Sequence, residues 1–130
     1  MRDMHDHYGV HAAIDKMDPQ KLQQFLAFRL EFINEELQET TYAAINGDTE
    51  EIVDGLIDII VVAAGTLDAF DIDAEEAWYQ VLKANMSKEV GVKESRPNPL
   101  GLPDLVKPEG WIGPNHEKNH GLLRKAYKNL

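Results

Sequence analysis

Apolar residues recur every three or four positions from Leu22 through Phe25, Leu26, Leu30, Ile33, Leu37 and Tyr42 to Ala44, which predicts one long amphipathic helix. Asp18-Pro19 starts it, with the carboxylate as cap and the proline at the first helical position, and Asn46-Gly47 ends it. Asp48 or Thr49 then caps a second helix that runs to about Phe70. Ten of its thirteen positions from Ile52 to Ala64 are apolar and point in nearly every direction, so this helix is expected to be enclosed on most sides. Gly65 within it either permits a close helix contact or marks an early end. After a turn at Asp71 to Asp73, a third helix extends from about Asp73 to Ser87 and is expected to bury Ala77, Trp78, Val81, Leu82 and Ala84.

Beyond Glu89 the pattern changes. Pro97, Pro99, Pro103, Pro108 and Pro114, with Gly101, Gly110 and Gly113, exclude regular helix from most of 96–115. This stretch reads as an extended arm, apolar enough at Leu100, Leu102, Leu105, Val106, Trp111 and Ile112 to pack against a body. A short helix over about Asn115–Tyr127 closes the chain. At the other end, residues 1–17 form a polar lead-in whose histidines, His5, His7 and His11, either face solvent or use the HxH spacing to bind metal; Tyr8, Val10 and Ile14 are placed to dock on the body. The expected organisation is a single all-α domain over residues 1–130: a lead-in (1–17), a helical core (18–89), then the arm and short helix (90–130).

Composition narrows the possibilities. The chain of 130 residues has no cysteine, which excludes disulfides and thiolate metal sites and fits a cytoplasmic setting. No apolar leader is visible, and the longest apolar run, Ile59 to Gly65, is too short to span a bilayer, so no membrane association is expected. The net charge of −10 argues against nucleic-acid binding. It is divided unevenly: eighteen acidic against four basic side chains in residues 1–82, and five against nine in 83–130. An acidic helical body is thus followed by a more basic tail suited to an anionic substrate.

The acidic residues form two groups at helical spacing, Glu35, Glu36 and Glu39 on the first long helix and Glu51, Asp54 and Asp58 on the second. Like charges one turn apart cost roughly 0.2–0.5 kcal/mol per pair on a helix surface and far more when buried. The apolar surroundings make Asp54 and Asp58 candidates for burial, and a buried acid must be protonated, paired or metal-bound. With so few cations in residues 1–82, a divalent metal is the simplest neutraliser.

The segments FINEELQE, EEIVDGLIDIIVVAAGTLDAFDID, ANMSK and LVKPEGW, in that order, resemble the MazG-like all-α nucleoside triphosphate pyrophosphohydrolases, in particular the small stand-alone members. Glu36 and Glu39 match the family's ExxE element and Glu51 and Asp54 its ExxD element. Eleven residues, 40–50, separate them, somewhat fewer than usual, which implies a tight interhelical turn. The similarity covers roughly residues 20–112.

The resemblance implies a helical bundle whose core is completed by homodimer or homotetramer formation, and hydrolysis of a (deoxy)nucleoside triphosphate between its α- and β-phosphates. It implies Mg²⁺, with Mn²⁺ as a substitute, held by Glu36, Glu39, Glu51 and Asp54; oxygen donors without thiolates suit these ions. Glu35, adjoining the ligands, is the candidate general base, against an exposed helix carboxylate. Asp58 contacts substrate or pairs with Arg29 or Lys88. Asn85 and Lys88 resemble positions near the nucleotide, although a lysine there also suits a helix C-terminus. Lys107 and Trp111 close over the nucleotide, or Trp111 anchors the arm. The alternatives are a phosphoribosyl-ATP pyrophosphohydrolase, a dUTPase/dCTPase-type relative, and a non-catalytic helical module that binds cations.

Overall fold

The computed structural model describes residues 9–93 and 98–127. They form five helices and one small sheet, an all-α architecture: α1 (Val10–Asp15), α2 (Pro19–Ile45), α3 (Thr49–Ala69), α4 (Ala74–Met86), β1 (Glu89–Gly91), β2 (Asp104–Val106) and α5 (Leu123–Ala126). No helix among the described residues is long and apolar enough to cross a membrane. Contacts divide the chain into two units, one of residues 1–74 and 119–130, the other of residues 75–118.

The first unit is a helical hairpin with a core at its open end. Asp18 caps α2 by accepting from Lys21 N at 2.8 Å, directly before Pro19. At the other end of α2, Gly47 takes φ 67°, and the Gly47 and Asp48 amides return to Ala44 O and Ala43 O. These paired bonds satisfy two carbonyls of the last turn and reverse the chain at once. Asp48 then caps α3 through Glu51 N. Asp71, at φ 58°, ends α3 in the same way, with its own amide bonded to Asp68 O and that of Ile72 to Leu67 O. A short acidic side chain tolerates this left-handed conformation better than most residues.

Ile14, Leu22, Ala69, Phe70 and Ala126 make the buried core, bordered by Phe25, Leu26, Ile72, Leu122 and others. The Phe25 and Phe70 rings pack with centroids 5.7 Å apart. Val10 and Ile14 thus dock as the pattern predicts, on a helical turn where a lead-in was expected. His11 does not face solvent: its Nε2 lies 2.8 Å from Asp68 Oδ2 on α3. His5, His7 and Tyr8 lie outside the described residues.

Several expectations of burial need correction. Helix α3 is covered along one stripe only, at Gly55, Val62, Gly65, Thr66 and Ala69, while Val53, Leu56, Ile57 and Ile60 are exposed. The buried stripe is the one that meets α2, and the faces that carry these four residues are open among the described residues. Leu30, Leu37 and Tyr42 of α2 and Trp78, Val81 and Leu82 of α4 are likewise exposed. Gly65 does not end α3, which continues to Ala69.

In the second unit, β1 and β2 pair antiparallel with Glu89 opposite Val106. The prolines did exclude helix from the arm, but three-residue strands carry too little pattern to be read beforehand. Of the arm's apolar residues, Val106 and Trp111 are partly buried, whereas Leu100, Leu102, Leu105 and Ile112 stay exposed. The closing helix is only Leu123–Ala126. Its expected first turns are replaced by a polar connection in which Asn119 Oδ1 accepts from Asp73 N and Asn119 Nδ2 donates to Asp73 O, each at 2.8 Å. Leu122 N then donates to Phe70 O at 2.7 Å, and Gly121 stands against that carbonyl at φ 52°.

A Cβ at position 121 would overlap the Phe70 carbonyl and require an unfavourable φ. Gly121→Ala is therefore expected to cost about 2 kcal/mol or more of stability, read as a lower urea midpoint with an unchanged slope.

Candidate active site

A tight contact between α2 and α3 lies beside the two acidic groups. Gly55, next to Asp54, faces Thr40, next to Glu39, so closely that a methyl on Gly55 would overlap Thr40 Oγ1. That hydroxyl turns back into its own helix and donates to Glu36 O at 2.7 Å, which satisfies a polar group in the tight contact. Farther along the hairpin, Arg29 crosses from α2 to α3. Its Nε donates to Thr66 Oγ1 and its Nη2 to Val62 O, both at 3.0 Å, and loss of hydration holds its pKa below the ordinary value. The expected alternative of an Arg29–Asp58 pair is thereby replaced by a bond to the α3 backbone.

The hairpin brings five of its acids into mutual influence. The Glu36 carboxyl is raised above the ordinary glutamate range, first by loss of hydration and then by the charges of Glu39, Asp58, Glu35 and Asp54. Glu36 and Asp58 are partly covered. Asp54 is exposed, contrary to the expected burial, because the stripe of α3 that meets α2 runs through Gly55 beside it. The sixth acid, Glu51, lies at the turn end, where it and Glu39 line an open cavity of about 560 Å³ with Gln38, Tyr42, Asn46 and Asp48.

These donors suit a hard divalent cation by their chemistry: all are carboxylate oxygens, and Glu36 stands among the negative charges of four other acids. As the side chains stand, no three acidic or histidine side chains among the described residues converge tightly enough to enclose an ion. A metal would therefore have to draw them together.

The other predicted contacts lie in the second unit. Asn85 is in the last turn of α4, and its carbonyl accepts from Lys88 N. The strand register sets Lys88, just before β1, across from Lys107, just after β2. Their ammonium groups stand 5.2 and 5.0 Å from the centroid of the Trp111 ring, within cation–π range. The Trp111 indole N–H donates to Ala84 O at 2.9 Å, which ties the arm to α4. A cavity of about 610 Å³ opens beside Trp111 and is lined also by Gln80, Lys83, Ser87 and Asn115.

Two features escaped the sequence reading. The Lys88–Lys107 pairing depends on strand register, and no local pattern signals it. Gln38, Tyr42 and Asn46 do carry a signal, the four-residue spacing that places side chains in one row of a helix.

Compared with family models, residues 10–85 match phosphoribosyl-ATP pyrophosphohydrolase. Neither the curated proteins nor the solved structures yield a significant match. The matched span begins with α1, contains all six acids and ends at Asn85; Lys88, Lys107 and Trp111 lie beyond it.

The Glu36 shift has a measurable consequence. An acid whose native pKa is raised keeps its proton in the folded state after the unfolded chain has lost it. Stability therefore falls as pH rises from the ordinary glutamate value, about 4.3, to the raised native one, and stays lower above it. In chelator, Glu36→Gln is expected to raise Tm at neutral pH and to lose that advantage below the window, as measured by thermal melts across pH.

Proposed function

Because this chain belongs to the phosphoribosyl-ATP pyrophosphohydrolase family, within the MazG-like all-α hydrolases that act on pyrophosphate bonds, we propose that it cleaves a (deoxy)nucleoside triphosphate between the α- and β-phosphates. The products are a nucleoside monophosphate and pyrophosphate. The observation that carries this reading is the crowding of carboxylates from two helices around Glu36, inside the matched span. Clustered acids are unfavourable for the isolated protein and suited to a cation-bridged polyanion.

Glu36, Glu39, Glu51 and Asp54 are assigned to Mg²⁺, or Mn²⁺ in its place, which when bound supplies charge neutralisation on the phosphates and acidifies coordinated water. Glu35 accepts the proton of the attacking water at a carboxylate oxygen and holds that water in line. Asp58 orients substrate or the neighbouring carboxylates. Asn85 hydrogen-bonds to the nucleoside. Lys88 and Lys107 offer positive charge to the phosphates, and Trp111 keeps the two ammonium groups together. Phosphoribosyl-ATP contains the same triphosphate, and the matching family bears its name, so it stands beside the ordinary nucleotides as a candidate substrate. The reading also takes the chain as a homodimer or homotetramer, supported by exposed Val53, Leu56, Ile57 and Ile60 on α3.

The decisive test is pyrophosphate release from a panel of ribo- and deoxyribonucleoside triphosphates and phosphoribosyl-ATP, with Mg²⁺, Mn²⁺ or chelator. Release of pyrophosphate and monophosphate in equal amounts, abolished by chelator, is expected; orthophosphate alone, or no product, rejects the assignment. With the preferred substrate, Glu35→Gln is expected to lower kcat at least about a hundredfold with little change in KM. Lys88→Ala is expected to raise KM more than it lowers kcat. Light scattering is expected to give at least twice the chain mass.

A further inference from the structure

The cavity at the turn end of the α2–α3 hairpin contains groups that the phosphate chemistry leaves unused. Glu39, Asp48 and Glu51 occupy part of its wall, and Gln38 and Tyr42 on α2, with Asn46 at its cap, form another part in a single row, with Ala43 beside them. Tyr42 presents an aromatic ring at 70 % exposure in a space of about 560 Å³. This volume falls within the range of small-molecule sites. Asn46 Nδ2 donates to Tyr42 O at 2.9 Å, which fixes that amide and leaves its Oδ1 as an acceptor. Gln38 makes no side-chain hydrogen bond among the described residues, so it retains both a donor and an acceptor.

We infer that this cavity takes the nucleobase of the substrate: Tyr42 is the stacking platform, and the Gln38 and Asn46 amides read the base edge. The inference rests on the hydrolase reading above and adds a specificity site to it. A nucleobase combines a flat π surface with an edge of donors and acceptors, and an aromatic ring flanked by two amides matches both parts. The geometry also suits the rest of a nucleotide. Glu39 lies one turn from Tyr42 on α2, so a base stacked on the ring leaves its phosphates beside the carboxylates assigned to the metal. Neither Tyr42 nor the amides touch the reacting atoms, so they govern binding and base choice, not the chemical step.

The test compares wild type, Tyr42→Phe, Tyr42→Ala and Gln38→Ala on the nucleotide panel and on methyl triphosphate, which has no base. Circular dichroism melts and light scattering accompany each protein. Tyr42→Ala is expected to raise KM for nucleotides about tenfold or more, leave kcat within about twofold, and leave methyl triphosphate hydrolysis unchanged. Tyr42→Phe retains the wild-type KM, and Gln38→Ala levels the preference among bases. A separate arm follows AMP, CMP, GMP and UMP in chelator by saturation-transfer NMR, where base protons are expected to report wild-type binding that Tyr42→Ala removes.

Unchanged nucleotide KM and base preference in Tyr42→Ala overturn the inference while an active wild type keeps the hydrolase reading. A Tyr42→Ala protein that instead changes oligomeric state, with base preference intact, marks this face as a subunit contact and also overturns it. A wild type that releases no pyrophosphate but binds monophosphates through Tyr42 defeats the hydrolase reading and retains the base site. Loss of both rejects both.

Discussion

Two helices rich in carboxylates are in tight contact at the level where those carboxylates lie. Gly55 permits the approach, Thr40 fills the gap and returns its hydroxyl proton to the Glu36 carbonyl, and the neighbouring residues on either side are Asp54 and Glu39. Loss of hydration, and then the charges of the surrounding carboxylates, raise the Glu36 pKa at this level. Exposed like-charge pairs cost tenths of a kcal/mol each, whereas burying one large apolar side chain contributes about 1.5–3 kcal/mol. The Leu22 and Phe70 core at the open end of the hairpin, with Arg29 bonded across to α3, offsets such a cost.

The hairpin is divided along its length. Its open end carries the fully buried Leu22 and Phe70, the Phe25 ring and the Gly121 contact that brings the last helix down onto Phe70. Its turn end carries exposed apolar and aromatic residues together with Glu39, Glu51 and an open cavity. Packing that fixes position is thus separated from the surface available to ligands. This separation suits the proposed metal site, because carboxylates that rearranged around an ion there would not disturb the core.

The second unit solves a different problem, that of placing positive charge on a chain segment with little secondary structure. A two-stranded pairing of three residues each is marginal by itself. Trp111 adds to it by bonding its indole N–H to α4 and presenting its π system to Lys88 and Lys107. The two lysines, nineteen positions apart in sequence, become neighbours through the register of the strands.

Helices α2, α3 and α4 and their ends were legible in the sequence because their signals are local: apolar spacing, Asp18-Pro19, and the Asn46-Gly47-Asp48 reversal. The two acidic stripes followed from the same helical period, whereas their attribution to a pyrophosphohydrolase family came from the resemblance of whole segments in order, and the match over residues 10–85 shows that family. What local pattern does not specify is the direction each helix face meets. The apolar surround of Asp54 suggested burial, yet the stripe of α3 that meets α2 runs through Gly55 and leaves that carboxylate exposed. The His11–Asp68 contact, the pairing of Lys88 with Lys107 over Trp111 and the left-handed turn at Gly121 likewise join residues distant in sequence or conformations set by a remote carbonyl. Periodicity determined the elements and the stripes; only the three-dimensional packing decided which neighbours complete them.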